Sequence, residues 1–370
     1  MTEPLVTVVL PVRNEAGFIA RSLGAVLEQD YPPARLEVIV ADGMSTDATR
    51  AIVLRSAAAH PEIPVSIVDN PEGIVPTGMN AGIASARGDV IVRVDGHTIV
   101  APDYVRRCVD ALRRTGAQNV GGRMTAMGEG SFARAVAAAT SSRFGVGGAR
   151  FHYSDREEEV DTVYMGAWPR SVLADLGGFD PEMVRDQDDE LNYRLRARGG
   201  RVVLCPEIRS RYFNRATVRS LARQYFQYGY WKVRVLQKHP RQMRPRQFAP
   251  PALAAAVVVS AAAAAVSRPG RIALAGLGAA YAAAALGASA VAARRAGRRA
   301  APYLPIAFGA LHFAYGFGFL AGLARFWNRW NRRRKSVAEE VSWSSRSPSI
   351  VPTSPIPRSP KSSRRSAPAG

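Results

Sequence analysis

Asp95-Gly96-His97 closes an apolar, β-branched run, Asp89-Val90-Ile91-Val92-Arg93-Val94. A carboxylate and an imidazole one residue apart project the same way from extended backbone, and both side chains bind divalent cations. A cation held there can grip a diphosphate. That chemistry asks three more things of the chain: a nucleotide site earlier in the sequence, a base later, and an acceptor. Asn14 and Asp42 end two earlier apolar runs, and Arg185-Asp186-Gln187-Asp188-Asp189-Glu190 concentrates carboxylates further on. Neighbouring carboxylates raise one another's proton affinity, which suits a group that must accept a proton near neutral pH.

Residues 1–100 alternate strand and helix patterns. Strands are expected over Leu5–Pro11, Leu36–Ala41, Val65–Val68 and Val90–Val94. Helices are expected between them, over Phe18–Gln29, Asp47–Ala58 and Thr77–Ala86, with Ser45 or Thr46 as N-cap of the second. This order specifies an α/β fold, a Rossmann-like, mostly parallel sheet with helices on both faces. Such sheets bind ligands at the carboxyl ends of their strands, where Asn14, Asp42 and Asp95 all fall. Past residue 119 the pattern loosens. Gly121-Gly122 and Gly145–Gly148 mark turns or close backbone approaches. Val160–Tyr164 and Arg201–Leu204 read as strands, and Asp189–Arg198 as a helix. Val218–Gln237 mixes Tyr225, Phe226, Tyr228, Tyr230 and Trp231 with Arg223, Lys232 and Arg234. That is the make-up of an interfacial helix or of an amphipathic helix packed on the sheet.

Charge is divided unevenly. The 370 residues hold 50 Lys+Arg and 30 Asp+Glu, but residues 241–370 hold 20 basic and only 2 acidic groups, so +18 of the net +20 sits there. These basic residues punctuate three uncharged stretches, Ala249–Ser267, Ile272–Ala292 and Ala300–Ala324. Each is long enough, at about 1.5 Å per residue, to cross a hydrocarbon core of about 30 Å. The Arg clusters between them favour membrane spans over buried core helices and argue against nucleic acid as a partner. The Ser-, Pro- and Arg-rich tail from 336 is expected to be disordered. Cys108 and Cys205 lie far apart in sequence, which excludes a CxxC site and fits free thiols in a reducing compartment. Met1-Thr2-Glu3-Pro4 lacks a basic n-region, so no signal peptide is expected and the N-terminal part is expected to stay in the cytoplasm.

Pro11-Val12-Arg13-Asn14-Glu15, the segment Val38–Asp47, Asn80-Ala81-Gly82-Ile83, Gly88-Asp89 and the Asp95 site follow one another in an order and spacing that resembles glycosyltransferase family 2. The resemblance covers about residues 5–235. Family members have catalytic domains of the GT-A fold and commonly show P-x-x-N-E, D-G-S-x-D, N-x-G-I and D-x-D segments. Arg93-Val94-Asp95-Gly96-His97 and Gln224–Lys232 resemble the versions found in membrane-attached members of the succinoglycan-assembly type. The resemblance implies that Pro11, Arg13, Asn14 and Glu15 border the base and ribose of a nucleotide sugar. It implies that Asp42 accepts hydrogen bonds from uracil or ribose, and that Asp95 faces the sugar and its metal. His97 stands where a second aspartate is usual. Imidazole suits Mn²⁺ better than Mg²⁺, so either the ion is Mn²⁺-like or Asp95 binds alone with water. The bland alternatives are charge at a helix N-terminus for Glu15, a turn before Gly43 for Asp42 and a steadying contact for Asn80.

Gln187–Leu195 resembles the family's E-D-x-D-L-x-x-R-L segment, with Gln187 for a usual Glu and Glu190 for a usual Asp. This puts Asp188 in the place of the catalytic base, which takes the acceptor's proton as its oxygen attacks the anomeric carbon. The other reading is an acidic helix N-terminus. Arg194 is expected to pair with a carboxylate. Gly166-Ala167-Trp168 resembles an acceptor-side loop, with Trp168 either stacked on a sugar or in the core. Gln227-Tyr228-Gly229-Tyr230-Trp231 resembles the Q-x-x-R-W signature of processive polysaccharide synthases, with Tyr230 in the Arg place. Gln227 and Trp231 are then diphosphate contacts or parts of an interfacial aromatic cluster.

The resemblance as a whole implies a membrane-bound, inverting glycosyltransferase of the hexosyltransferase type. Residues 1–240 would be the GT-A catalytic domain, 248–325 two or three membrane helices, and 336–370 the tail. The expected setting is the plasma membrane, multi-pass, with the catalytic domain cytoplasmic. The expected reaction moves a sugar from a nucleotide-diphospho-sugar, UDP first, to a hydroxyl of a lipid-linked or polysaccharide acceptor, with a divalent cation (Mn²⁺ or Mg²⁺). The alternatives are a processive polysaccharide synthase and an inactive nucleotide-sugar-binding scaffold. Three full spans would leave basic Arg325–Lys335 outside, against the positive-inside bias. The Gly-rich stretch Ala307–Gly322 is therefore expected to be re-entrant or to lie in the interface.

Overall fold

The computed structural model describes residues 3–334, so the tail expectation for 336–370 lies outside the described residues. The strands are β1 (Val6–Val12), β2 (Leu36–Asp42), β3 (Val65–Asp69), β4 (Val90–Arg93), β5 (Thr98–Val100), β6 (Asn119–Met127), β7 (Glu158–Glu159), β8 (Tyr164–Pro169) and β9 (Val202–Phe213). The helices are α1 (Ile19–Leu27), α2 (Thr49–Ala59), α3 (Val75–Ser85), α4 (Tyr104–Thr115), α5 (Ser131–Thr140), α6 (Arg143–Val146), α7 (Arg170–Leu176), α8 (Gln187–Ala197), α9 (Val218–Lys238), α10 (Ala249–Val266), α11 (Arg268–Ala296) and α12 (Leu304–Phe326).

One sheet runs β3-β2-β1-β4-β8-β6-β9-β5, with β7 also on β9. β3, β2, β1 and β4 pair in parallel. β1, β2 and β4 are buried on both faces, which is why they read as unbroken β-branched runs. Alternation along β1 sends Val8 and Leu10 into one core with Leu23, Val38 and Val92, and Val9 into another with Ile39, Met79 and Ile91. The chain steps outward through β2 and β3, then returns to the other side of β1 as β4. The loops after β1 and β4 therefore diverge and leave a crevice between them.

Beyond β4 the sheet is mixed. β8 lies antiparallel to β4 and β6, β5 and β7 lie antiparallel to β9, and β6 and β9 run parallel. β8 starts at Tyr164 rather than Val160, and β9 runs on to Phe213. The register of β6 shifts at Gly121-Gly122, and any Cβ on Gly122 would collide with the Ile208 carbonyl. Asp95–His97 is a turn into β5 rather than extended strand, closed by Thr98 N–H on the Asp95 carbonyl at 3.0 Å. Ser45 and Thr46 do not cap α2, which begins after Ala48; the Asp47 carboxylate takes the Thr49 N–H at 3.0 Å.

Of the described residues, 3–328 form one compact unit that includes both the sheet and α10–α12. Pro245–Val266, Arg268–Ala296 and Ala301–Trp330 are long and apolar enough to cross a membrane. α10 and α11 expose Val258, Val259, Val266, Ile272, Leu286 and Val291. By contrast, α12 buries Leu304, Phe308 and Leu311 against α5 and Phe319 and Phe326 against α9. Its glycines do not break it, so Ala307–Gly322 is no re-entrant loop. Gly229 of α9 meets the Tyr315 carbonyl, and Gly318 and Gly322 of α12 meet the Phe226 and Tyr230 carbonyls, so that a side chain at any of the three would hold the helices apart. Cys108 and Cys205 are buried, free thiols.

Candidate active site

Four non-glycine residues among those described have positive φ: Asn14 (54°), Met44 (57°), Met165 (61°) and Asp186 (59°). Each follows or abuts a segment singled out above. Backbone strain of this kind costs on the order of 1–3 kcal/mol per residue and survives where surrounding contacts over-determine it.

Asn14 and Glu15 follow β1 at the crevice. The Asn14 N–H donates to Ser45 Oγ at 2.9 Å, and Asn14 Oδ1 accepts the Thr46 N–H at 2.8 Å. The Glu15 N–H donates to Thr49 Oγ1 at 2.8 Å. The Glu15 carboxylate turns across the switch point to His97 Nδ1 at 3.2 Å, away from the α1 terminus. Arg13 is exposed and reaches the Gly73 carbonyl at 3.4 Å. Pro11 is interior to β1; β4 has ended opposite Val9, so its missing N–H breaks no ladder on that side. Asp42 is 0 % exposed, and its carboxylate accepts from Ser45 N–H at 3.1 Å, Ser45 Oγ at 2.5 Å and Arg50 at 3.2 Å. In this arrangement it shapes the loop that holds Asn14.

Arg93, the last residue of β4, links the donor side to the acidic run. It is 4 % exposed, donates Nε–H to Asp95 Oδ1 at 2.7 Å, and donates Nη1–H to Asp188 Oδ1. Burial opposes its charge, and the Asp188 and Asp95 carboxylates more than restore it. Burial also works against the Asp95 charge, but Arg93, His97 and Tyr164 hold that carboxyl below its usual range. Asp188 goes the other way. Burial pushes its carboxyl up to about 7, opposed by Arg93 and aided by Asp95, Asp189 and Asp186. Tyr164 Oη lies 3.4 Å from Asp95 Oδ2 and 2.6 Å from Thr98 Oγ1. Tyr212 packs edge-on to His97 and Tyr164, at ring separations of 5.4 and 5.9 Å.

The donor set at the turn fits a divalent cation. Asp95 offers oxygen. His97 Nδ1 faces the Glu15 carboxylate at 3.2 Å and leaves Nε2 for an ion, the arrangement in which a carboxylate orients a metal-binding imidazole. Glu157, Cys205 and Glu207 also bring three possible ligand atoms together among the described residues, but Arg114 bridges both of those carboxylates.

The acidic run is held from a second side by α9. Lys232 is 4 % exposed and pairs with Asp186 at 3.1 Å and with Asp189. Gln224, one face with Tyr228 and Lys232 at i, i+4, i+8, donates to Tyr212 Oη at 3.1 Å and Tyr228 Oη at 2.8 Å. Gln227 and Trp231 belong to a neighbouring face. They bond to each other at 3.2 Å, and Trp231 packs on Phe326. Gly166, Ala167 and Trp168 lie in β8, not in a loop, and Trp168 takes the core alternative: it is 0 % exposed and edge-on to Phe179. Arg194 pairs with Glu190 at 2.7 Å as expected, and Asn80 steadies the Phe179 backbone at 2.7 and 2.8 Å. The roles of Arg93 and Lys232 are legible in sequence only as a rule: a lone cation in an apolar β-run or on a buried helix face must find carboxylates.

Residues 7–169 match the family described as Glycosyl transferase family 2. The succinoglycan biosynthesis protein ExoA of Rhizobium meliloti (strain 1021) is 32 % identical over 259 residues, 68 % of this chain and 78 % of that one. A dolichyl N-acetyl-alpha-D-glucosaminyl phosphate 3-beta-D-2,3-diacetamido-2,3-dideoxy-beta-D-glucuronosyltransferase of Methanococcus voltae is 25 % identical over 63 % of this chain and 74 % of its own. Among solved structures, the mannosyltransferase PcManGT from Pyrobaculum calidifontis, in complex with GDP-Man and Mn²⁺, superposes with TM-score 0.57 at 24 % identity. That likeness covers 87 % of this chain and 88 % of the other, reaching past the sheet into the long helices. The chain belongs to glycosyltransferase family 2. It is a glycosyltransferase with a GT-A fold followed by apolar helices.

Proposed function

We propose that the enzyme moves a sugar from a nucleotide-diphospho-sugar, UDP-linked in the first instance, to a hydroxyl of a lipid-linked or polysaccharide acceptor, with inversion. The single observation that carries this reading is the Arg93 bridge. It sets a carboxylate at the topological switch point one guanidinium away from a second carboxylate whose proton affinity is raised to neutrality.

Asp95 and His97 would hold the divalent cation, which when bound offsets charge growing on the leaving diphosphate. Asn14, Glu15 and Ser45 shape the nucleotide end, with Arg13 at its rim. Arg93 occupies Asp188 Oδ1 and leaves Oδ2 for the acceptor hydroxyl. Asp188 takes that proton as the oxygen attacks the anomeric carbon from the face opposite the diphosphate. A base with a pKa near 7 is both deprotonated often enough and basic enough for this task. One in-line displacement inverts the anomeric centre.

The relatives support the acceptor class by their names, one in succinoglycan biosynthesis and one acting on a dolichyl-linked sugar. Arg294 and Arg295 lie in the last turn of α11, at the end that packs on α5, and Arg298 and Arg299 follow it; the positive-inside bias supports a catalytic part in the cytoplasm beneath the plasma membrane. α12 resting along α5 and α9 fits an interfacial helix, which keeps Arg325 on that same side.

The test uses the full chain in lipid nanodiscs, a panel of UDP-, GDP- and TDP-sugars, Mn²⁺ or Mg²⁺, membrane lipid extract as acceptor, and mass spectrometry of the product. Asp188→Asn is expected to lower turnover by about 10²–10⁴-fold while nucleotide affinity persists. Equal turnover by wild type and Asp188→Asn refutes the assignment.

A further inference from the structure

The run Asp186–Asp189 hangs between two buried cations that belong to different parts of the molecule. From the sheet, Arg93 takes Asp188; from α9, Lys232 takes Asp186 and Asp189, which flank it. Asp186 is in the left-handed region at φ 59°, and its Oδ2 is buried without a hydrogen-bond partner. A strained, incompletely satisfied aspartate at the first residue before α8 stays in place only if something holds it. Lys232 does so from a helix that is itself immobilised. α9 meets α12 at Gly229, Gly318 and Gly322 with no side chain between the backbones, and Gln237 donates to the Phe326 carbonyl at 2.7 Å. Further ties run in the same direction: Arg234 to Glu182 at 2.6 Å, Lys238 to Glu182 at 2.9 Å and His239 to Glu190 at 3.0 Å. Lys232 is the cation of α9 that grips the carboxylates on both sides of Asp188.

We propose that Lys232 is a positioning residue for the transfer: it fixes the Asp186–Asp189 run on the α9–α12 pair and so aims the Asp188 carboxylate at the acceptor hydroxyl. This rests on the assignment of Asp188 as base. It does not involve the donor end, because the ion pairs of Lys232 go to Asp186 and Asp189 and not to the turn that carries Asp95 and His97. Lys232 therefore affects turnover and leaves nucleotide binding alone. An ångström-scale misplacement of a catalytic group costs about 10²-fold in rate.

The experiment compares wild type, Lys232→Met, Lys232→Arg and Asp188→Asn as full chains in nanodiscs, reading kcat, acceptor KM, UDP affinity by calorimetry, and melting temperature. Lys232→Met is expected to lose about 10²-fold in kcat with UDP affinity within threefold of wild type. Lys232→Arg, which can still bridge two carboxylates, is expected to recover most of that loss. If Lys232→Met does not fold, the triple variant Lys232→Met/Asp186→Asn/Asp189→Asn removes the stranded charges; it is expected to fold and bind UDP but stay slow. Wild-type kcat in a folded Lys232→Met or in the triple variant overturns the proposal, as does a loss of UDP affinity equal to the loss of kcat. If Asp188→Asn turns over normally, the base assignment falls as well. If Asp188→Asn is inactive while Lys232→Met is not, only the positioning role falls.

Discussion

Around Asn14, the loops after β1 and β2 are tied by short side chains and backbone: Asn14 to Ser45 and Thr46, Glu15 to Thr49, Asp42 to Ser45. The surroundings of Asp188 are built differently. Its run is held by the long, charged side chains of Arg93 and Lys232, which come from residues on a distant strand and a distant helix. The donor end is thus set mainly by hydroxyl, amide and backbone hydrogen bonds between loops that follow neighbouring strands, with Arg50 as the cation on Asp42. The base end is set by ion pairs in a dry setting, where the same interactions that place the carboxylate also set its proton affinity. A site that must bind a nucleotide tightly benefits from the first arrangement. A group that must change protonation state during each turnover needs the second.

The largest effect is expected where the two ends are joined. Arg93→Met leaves Asp95 and Asp188 facing one another without a cation. Breaking a buried pair in this way costs about 3–5 kcal/mol, so both a lower melting temperature and near-complete loss of turnover should be measured. Arg93→Lys should fall short of full rescue, because a point charge cannot reproduce the two-pronged guanidinium. If Arg93→Met melts and turns over like wild type, the ends are independent and the contrast drawn above is wrong.

A second expectation sharpens the difference through pH. Asp188 works as the carboxylate, and its carboxyl is pushed up to about 7 by burial, with Asp95, Asp189 and Asp186 adding to the effect and Arg93 opposing it. Protonation below that point removes the base, so kcat should rise with pH through about 7 and level off above. A kcat profile flat between pH 5.5 and 8 (roughly the range in which such a base must titrate) would mean that Asp188 does not take the proton.

The smallest effect belongs to the donor end. His97→Asp exchanges the imidazole for oxygen, which Mg²⁺ prefers. The ratio of activity in Mg²⁺ to that in Mn²⁺ should rise, by about tenfold if one ligand decides it, an order-of-magnitude figure equal to about 1.4 kcal/mol. An unchanged ratio would place His97 outside the coordination shell and leave its contact with Glu15 purely structural.

Much of the donor end is legible in the linear chain. β1, β2 and β4 are visible there as β-branched runs, and a parallel sheet must bind at their carboxyl ends, so Asn14 and Asp95 have to come together. Hydrophobic periodicity is a local property, and local properties can be read residue by residue. What stays hidden depends on depth and on partners. Asp42 and Trp168 look like ligand contacts by type, yet both are 0 % exposed. Gln227 and Trp231 sit one helical step from the face that reaches the site, a rotation that only the seating of α9 on α12 decides.

The sequence by itself determined the class of fold, the strand ends that carry the donor chemistry, and the presence of a carboxylate-rich run and of three apolar helices, because each follows from residue types within a window of a few turns. Tertiary structure alone decided which carboxylates are buried, which cation each one meets, and hence that Asp188 is poised near neutrality while Asp95 stays ionised. The pairing of Asp188 with Arg93 spans 95 positions of the chain, and no local pattern encodes which of two equally acidic side chains will find itself in the dry place.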